Sequence, residues 1–600
     1  MRQTFDESTD PSFGPKHVPL IRQAMAAQGL DGFLVPHEDE HQNEYLPAAN
    51  DRLAWASGFT GSAGAGVILK DKAAVFVDGR YTLQVREQVD QGVFEIRDLV
   101  EGGVPAYLAA APKGSVIGYD PRLHSPDALA SLRAAAEKAG ASLKPVSTNP
   151  LDEAWGQARP PQPTAPVVPQ PLEFSGEDSA DKRARIGASL GADAAVITAP
   201  SSIAWLFNIR GGDVIRSPLP LAQAILRADG TARLFLDPAK VTEELPAWLG
   251  NQVSLETPDA LEEALAELKG HKVLVDPAQS SAWYFDTLAG TGASVVRGMD
   301  PCALPRACKN AVEIAGTREA HRRDGVVLAQ YLHWLATEAQ VSPPDEKEAV
   351  TKLESLREAT GKLKDLSFDT IGAANGHGAL PHYRPSERTN ERARMGSLLL
   401  VDSGAQYMDG TTDVTRTVAI GEPSAEMIRR NTLVMKGHLA IARLRFPAGT
   451  TGSAIDAFAR AHLWSEGLDY DHGTGHGVGV YLGVHEGPQR ISKAPNTIAL
   501  QPGMIVSNEP GYYKDGEYGI RIENLEVVMP ATGAGDGDRP MHSFSTLTLA
   551  PYDRRLLEKD LLSGQEIAQI DAYHARVWRE IGPRVEGDVK AWLEKACAPL

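Results

Sequence analysis

The residues able to do chemistry concentrate between His377 and Asn524. Asp402 follows the apolar run Ser397–Val401, bounded by Gly396 and Gly404, which reads as a buried strand. A carboxylate at the end of such a strand needs a partner, because a bare buried charge costs several kcal/mol or more. Asp413 opens the next apolar stretch, Asp413–Val418, and the two strands are expected to pair antiparallel about an Asp409-Gly410 turn. Taken strictly, that turn sets Asp413 opposite Gln406 and not Asp402. Convergence of the two carboxylates then needs a wider loop or a bulge. His472 and His476 share the run His472-Gly473-Thr474-Gly475-His476-Gly477-Val478-Gly479. Glycine at this density disfavours a helix, and in an extended strand the two rings stand about 13 Å apart. One is therefore expected to bind an ion and the other to face substrate. The run fits no G-x-G-x-x-G register, which removes a dinucleotide site. Glu509 ends the stretch Met504–Asn508, and strand periodicity puts Arg521 and Glu523 on one face, with Ile520 and Ile522 on the other.

Asp402, Asp413, Glu509 and Glu523 supply four negative charges, which two divalent cations would balance. Hard oxygen donors with a single histidine suit Mn²⁺ better than structural zinc. Two cations about 3.5–4 Å apart can lower the pKa of a shared water and polarise a carbonyl, which makes this a hydrolytic site. Other polar residues have plainer readings. His377 is left out of the site, Asp409 belongs to the turn, and Glu486 and Glu526 are ordinary polar positions. Arg416 is a candidate partner for the metal-binding carboxylates.

These strands need scaffolding. A helix is expected over Ala311–Thr337, opening a domain that runs to the end of the chain. Before it, two stretches share their order of patterns. Asp31–Val35, Trp55–Phe59, Gly66–Leu69 and Ala74–Asp78 correspond to Asp193–Ile197, Trp205–Ile209, Ala224–Leu226 and Leu234–Asp237. Helical stretches over Ile21–Leu30 and Arg183–Leu190 precede the two sets, which read as tandem α/β units. Between the units, six prolines fall from Pro160 to Pro171, predicting an extended linker or a strap on a domain surface.

Composition narrows the partners. The 600 residues carry 60 Lys and Arg against 78 Asp and Glu, a formal charge of −18. That balance disfavours both a nucleic-acid binder and a protein held on anionic lipid. No apolar run approaches the roughly 18 residues of a membrane span, and no signal peptide is evident. Three cysteines, Cys302, Cys308 and Cys597, with no C-x-x-C, point to a reducing, cytoplasmic setting.

The chain resembles the aminopeptidase P (Xaa-Pro aminopeptidase) family, in its long three-domain cytosolic form, among the creatinase/prolidase-like metallopeptidases. The likeness covers nearly the whole chain. It is carried by His382-Tyr383-Arg384-Pro385, Asp402-Ser403-Gly404-Ala405-Gln406-Tyr407, Thr411–Thr417, the His472–Gly479 run, Val484-His485-Glu486-Gly487, Asn508–Tyr513 and Gly519–Asn524. Ser57–Gly64 and Val77-Asp78-Gly79-Arg80-Tyr81 extend it towards the N-terminus. One departure is the five-residue spacing between Gly479 and His485, where shorter relatives have three.

The resemblance implies an α/β chain. Two tandem creatinase-like domains, 1–158 and 175–304, flank the linker 159–174, and a pita-bread metallopeptidase domain with a C-terminal extension occupies 305–600. It implies two divalent cations per chain, usually manganese, with Co²⁺, Fe²⁺ or Zn²⁺ as alternatives. Asp402 would chelate one cation, Asp413 and Glu523 would bridge both, and His476 and Glu509 would complete the second. A bridging hydroxide would attack the carbonyl before proline, with Glu509 as proton shuttle. His382, His472 and His485 would bind substrate and stabilise the transition state, supported by Tyr513 and Arg521. The implied reaction releases the first residue of peptides whose second residue is proline. Prolidase, cutting only Xaa-Pro dipeptides, is the alternative. A peptidase-like protein-binding module is a third reading, disfavoured by the five retained ligands. A homodimer is also implied.

Overall fold

The structure is a computed structural model, and it describes residues 2–7, 9–532 and 537–600. They form two compact units. One comprises residues 8–172 and 177–303. The other comprises residues 304–600 together with the short segments 1–7 and 173–176.

The first unit contains two sheets of six strands each. In spatial order the first runs Phe94–Asp98, Ala73–Val77, Gly64–Leu69, Gly32–Pro36, Val116–Tyr119, Ser142–Pro145. The second runs Val253–Glu256, Ala232–Phe235, Gln223–Arg227, Ala194–Ile197, Lys272–Val275, Ser294–Arg297. The four matched pairings are the same: parallel, antiparallel and antiparallel across the first four strands, then parallel onto the fifth. The internal repeat expected from the sequence is therefore a repeat of topology. The Trp55 and Trp205 segments are short helices, Arg52–Ser57 and Pro200–Leu206, not strands.

The proline-rich stretch is extended, as its composition requires, and it is bound along its length. Val168–Pro169 pairs antiparallel with Ile209–Arg210, while the Val167 amide donates to the Lys240 carbonyl at 2.8 Å. Of the two readings it is a strap on the second sheet's domain. Near the start of the chain, the matched motif around Arg80 and Tyr81 forms a closed polar network. The Tyr81 and Ser62 hydroxyls lie 2.8 Å apart, Ser62 donates to Glu44 at 2.8 Å, and Arg80 is bidentate on Asp78.

The long helix of the second unit is Ala311–Ala336, matching its expected span to one residue. Asn310 caps it by accepting from the Val312 and Glu313 amides, and Glu313 accepts from the Asn310 amide in return. Its apolar face, Val327, Leu328, Tyr331 and Leu335, packs on Leu399, Val401, Val414 and Val418 of the hairpin that carries Asp402 and Asp413. Among the described residues no helix is long and apolar enough to cross a membrane. The three cysteines are unbonded to one another.

Candidate metal centre

The hairpin register decides whether two of the carboxylates can meet. Ser397–Ser403 pairs with Val414–Ile420, setting Asp402 opposite Thr415 and Ser403 opposite Val414. Gln406 pairs with Thr411 and Tyr407 with Gly410, so Met408 and Asp409 make the turn. The Asp409-Gly410 turn expected from the sequence is thus displaced by one residue, and Asp413 comes level with Gly404. Directly opposed residues share a face of a sheet, and so do residues two apart on one strand. Asp402, Thr415 and Asp413 therefore point the same way without a bulge.

Packing enforces this arrangement. A Cβ on Gly404 would lie 1.9 Å from Ser367 Oγ and 2.1 Å from the Thr412 carbonyl, so the two strands close up only around glycine. Below the crossing sits an ion pair that sequence reasoning missed. Arg357 is bidentate on Asp324 at 2.9 and 3.0 Å, and it donates to the Gly404 carbonyl and Ser403 Oγ. Asp324 also accepts from Tyr407 and Thr412. The available signal was Asp324 itself, a carboxylate on the apolar face of a helix with Ala320, Val327 and Leu328. We expect Asp324→Asn to lose about 3–5 kcal/mol, the usual cost of stranding one member of a buried pair. Urea unfolding that shows less than about 1 kcal/mol would remove the pair from this role.

Glu509 and Glu523 meet by the same logic. Ile505–Asn508 pairs with Asn524–Pro530 so that Asn508 faces Asn524. The next residues outward, Glu509 and Glu523, lie across from each other at the mouth of the pair. The Glu523 amide donates to the Thr415 carbonyl, and Thr415 Oγ1 donates to Glu523 Oε2 at 2.8 Å, tying this mouth to the Asp402–Asp413 face. Arg416 holds the same place from beneath. It donates to the Glu523 backbone carbonyl at 2.6 Å and to Asn524 Oδ1, not to the metal-binding carboxylates as expected.

His476 completes the group. Its strand, Gly475–His476, approaches so closely that a Cβ on Gly475 would lie 1.9 Å from the Ser507 carbonyl. The segment is extended and not helical, as the glycine pattern requires. Nδ1 lies 3.0 Å from the Gly477 carbonyl, which assigns the proton to Nδ1 and the lone pair to Nε2. Nε2 stands 3.3 Å from Glu509 Oε1 and 3.6 Å from Asp413 Oδ2. One ligand atom each from Asp413, His476 and Glu523 lies within 4.8 Å of the others.

The electrostatics fit cations. Asp402, Asp413 and Glu523 are all buried, and Asp402 Oδ1 and Glu523 Oε1 accept no hydrogen bond. Desolvation and then mutual repulsion hold Asp413 and Glu523 well above the usual carboxylate range, and desolvation pushes Glu509 up to about 7. Groups like these favour a bound divalent ion over four bare charges. Arg521 departs from the expected four-to-four balance. Its guanidinium donates to Asp402 Oδ2 and to the Tyr513 hydroxyl, both at 2.7 Å.

The remaining expected residues distribute around this centre. The Tyr513 hydroxyl lies 2.7 Å from His472 Nε2, so Asp402, Arg521, Tyr513 and His472 form one chain of contacts. The His485 ring meets His476 edge-on at 4.2 Å. His382 is half-buried on the loop after the 3-10 turn Asn375–Ala379. His377 instead bonds Glu346 at 2.8 Å and stacks on Tyr383, in keeping with its exclusion from the site. Glu486 and Glu526 are not ordinary polar positions. Glu486 is fully buried between Lys309 at 2.5 Å and Arg306 at 3.2 Å, and Glu526 is buried with Thr546 as a donor.

Known proteins resemble this chain from end to end. It is 39% identical over 609 aligned positions to the probable Xaa-Pro aminopeptidase P of Aspergillus fumigatus, covering 98% of this chain and 92% of that one. The chain belongs to metallopeptidase family M24. The family's profile matches residues 315–530, which contain the whole carboxylate centre, and an M24 C-terminal region matches 540–600. Creatinase/prolidase N-terminal profiles match 18–153 and 158–313, the two topological repeats. The probable Xaa-Pro aminopeptidase P of Colletotrichum graminicola is 37% identical, with 97% and 98% of the two chains covered. Among solved structures, the X-prolyl aminopeptidase of Caenorhabditis elegans, described as a cytosolic enzyme with a di-nuclear active site, superposes with a TM-score of 0.93. It is 33% identical to this M24 member and covers 98% of it, with all of that chain matched. A prolidase from Thermococcus sibiricus is 25% identical with a TM-score of 0.51 and covers 63%.

Proposed function

We propose that this M24 peptidase is a metal-dependent Xaa-Pro aminopeptidase, releasing the first residue of peptides that carry proline second. One observation carries the choice over prolidase. The C. elegans X-prolyl aminopeptidase is matched along its whole length, through both N-terminal repeats, whereas the T. sibiricus prolidase covers under two thirds of the chain. Proline's tertiary amide offers no N–H, so a dedicated site for this bond makes chemical sense. Domains 1–158, 175–304 and 305–600 with the 159–174 strap, a homodimer and a cytoplasmic setting belong to the same proposal.

In this reading Asp402, Asp413, His476, Glu509 and Glu523 would together hold two divalent cations. Manganese is the favoured ion, with Co²⁺, Fe²⁺ or Zn²⁺ as alternatives. The cations, when bound, supply an activated water and a polarised scissile carbonyl. Glu509, raised towards neutrality, is suited to take a proton and return it to the leaving proline nitrogen. Arg521 holds Asp402 in place and orients the Tyr513 hydroxyl towards His472. His472, His485 and His382 contact the peptide. Two divalent cations and Arg521 together outweigh four carboxylates by one charge, a surplus that favours one further anion at the centre.

Incubation of the metal-loaded protein with Arg-Pro-Pro and with Gly-Pro tests the reading. Cleavage of the tripeptide at its first bond is expected, together with about two ions per chain by elemental analysis. Turnover of the dipeptide alone would assign a prolidase instead.

A further inference from the structure

Behind the catalytic sheet lies a cavity of about 260 Å³ that the peptidase reaction does not use. Leu332 of the long helix, Val418, Tyr552, Trp592 and Ala596 give it apolar walls. Its volume equals about eight or nine water molecules, or an organic molecule of about ten non-hydrogen atoms.

The charged lining is unbalanced. Arg555 is neutralised by Asp553, its bidentate partner. Arg416 is buried, yet its hydrogen bonds run only to neutral acceptors: the carbonyls of Thr415, Glu523, Ala550 and Pro551, Asn524 Oδ1 and the Tyr573 hydroxyl. Among the described residues it has no carboxylate partner. Arg554 donates to the carbonyls of Lys595 and Pro599, and its Nε is buried without an acceptor. Burial, and then the charges of Arg416 and Arg554, push His574 down to about 4. Arg416 is a buried charge without a counter-ion and half-exposed Arg554 keeps one donor open, so an anion in the cavity would answer both. A phosphate would leave the apolar walls unfilled, and a hydrocarbon would leave the arginines unanswered.

We propose that this cavity is a binding site for a small monocarboxylate with an aromatic or branched aliphatic body, its carboxylate beside Arg554 and Arg416 and its body against Trp592 and Leu332.

The test uses the full-length, metal-loaded protein and 3-phenylpropionate, with 3-phenylpropan-1-ol as the uncharged control, by titration calorimetry. One saturable site is expected for the acid, with the alcohol at least tenfold weaker. Ala596→Phe and Ala336→Leu, both in the lining, are each expected to fill space and weaken the acid at least tenfold while keeping normal peptide turnover. Arg554→Gln is expected to weaken the acid at least tenfold and leave the alcohol unchanged, a readout that needs no change in packing. Equal affinity for acid and alcohol would overturn the proposal. So would undiminished binding to the Arg554 variant, because the acid would then sit at the cations or elsewhere.

Discussion

Glu523→Gln and Asp413→Asn are each expected to abolish peptide turnover, by more than the 10–100-fold that loss of an outer partner of a metal ligand costs. Each swap keeps the shape of the side chain and removes one of four clustered charges. The side-chain oxygen retained in Glu523→Gln can still accept from Thr415 Oγ1, so the fold has little reason to suffer. Indeed both carboxylates are held above their usual range by desolvation and mutual repulsion. Neutralising one relieves that repulsion, so the variants' melting temperature in chelator is expected to equal or exceed the wild type's. Metal content is expected to fall below two ions per chain. Near-normal turnover with full metal content would refute the ligand assignment, and a marked drop in the chelated protein's stability would mark the residues as structural.

The second large effect separates the two histidines of the glycine-rich run. His476→Ala is expected to lose bound metal and with it activity, whereas His472→Ala keeps its metal and loses mainly kcat. The difference lies in what each ring nitrogen does. His476 Nδ1 bonds the Gly477 carbonyl, leaving Nε2 among the carboxylates. Both nitrogens of His472 are engaged elsewhere, Nδ1 at the Gly473 carbonyl and Nε2 at Tyr513, each at 2.7 Å. Elemental analysis of the two purified variants, beside single-turnover kinetics, reads the contrast directly. Equal metal loss in both would defeat it.

Much of this architecture was legible in local pattern. Apolar runs located the strands around Asp402, Glu509 and Glu523, and the repeated order of patterns before the proline-rich stretch anticipated two sheets of one topology. The clustering of the carboxylates was legible too, because buried carboxylates at strand ends need something to share. What could not be read was pairing. The Asp409-Gly410 dipeptide is a strong turn signal, yet tertiary closure around Gly404 moved the turn to Met408-Asp409 and so aligned Asp413 with Asp402. The pairing of Asn508 with Asn524, which sets Glu509 against Glu523, likewise depends on contacts remote in sequence. Nor does a sequence say what answers a buried charge. Asp324 finds Arg357, Glu486 finds Lys309, and Arg416 turns to carbonyls.

The assignment of residues 1–7 to the second unit has a consequence for the order in which the protein is made. The Gln3 amide donates to the Glu354 carboxylate, Arg384 donates to the Thr4 carbonyl, and the Glu387 amide donates to the Phe5 carbonyl. Residues 3–5 thus find their partners only after some 350 to 380 others have followed. Until then this segment waits for those partners, while each repeat of the first unit can close from contacts within its own stretch of chain. Contacts so distant in sequence form late and slowly. The catalytic unit is therefore completed late, by a segment synthesised ahead of the whole first unit.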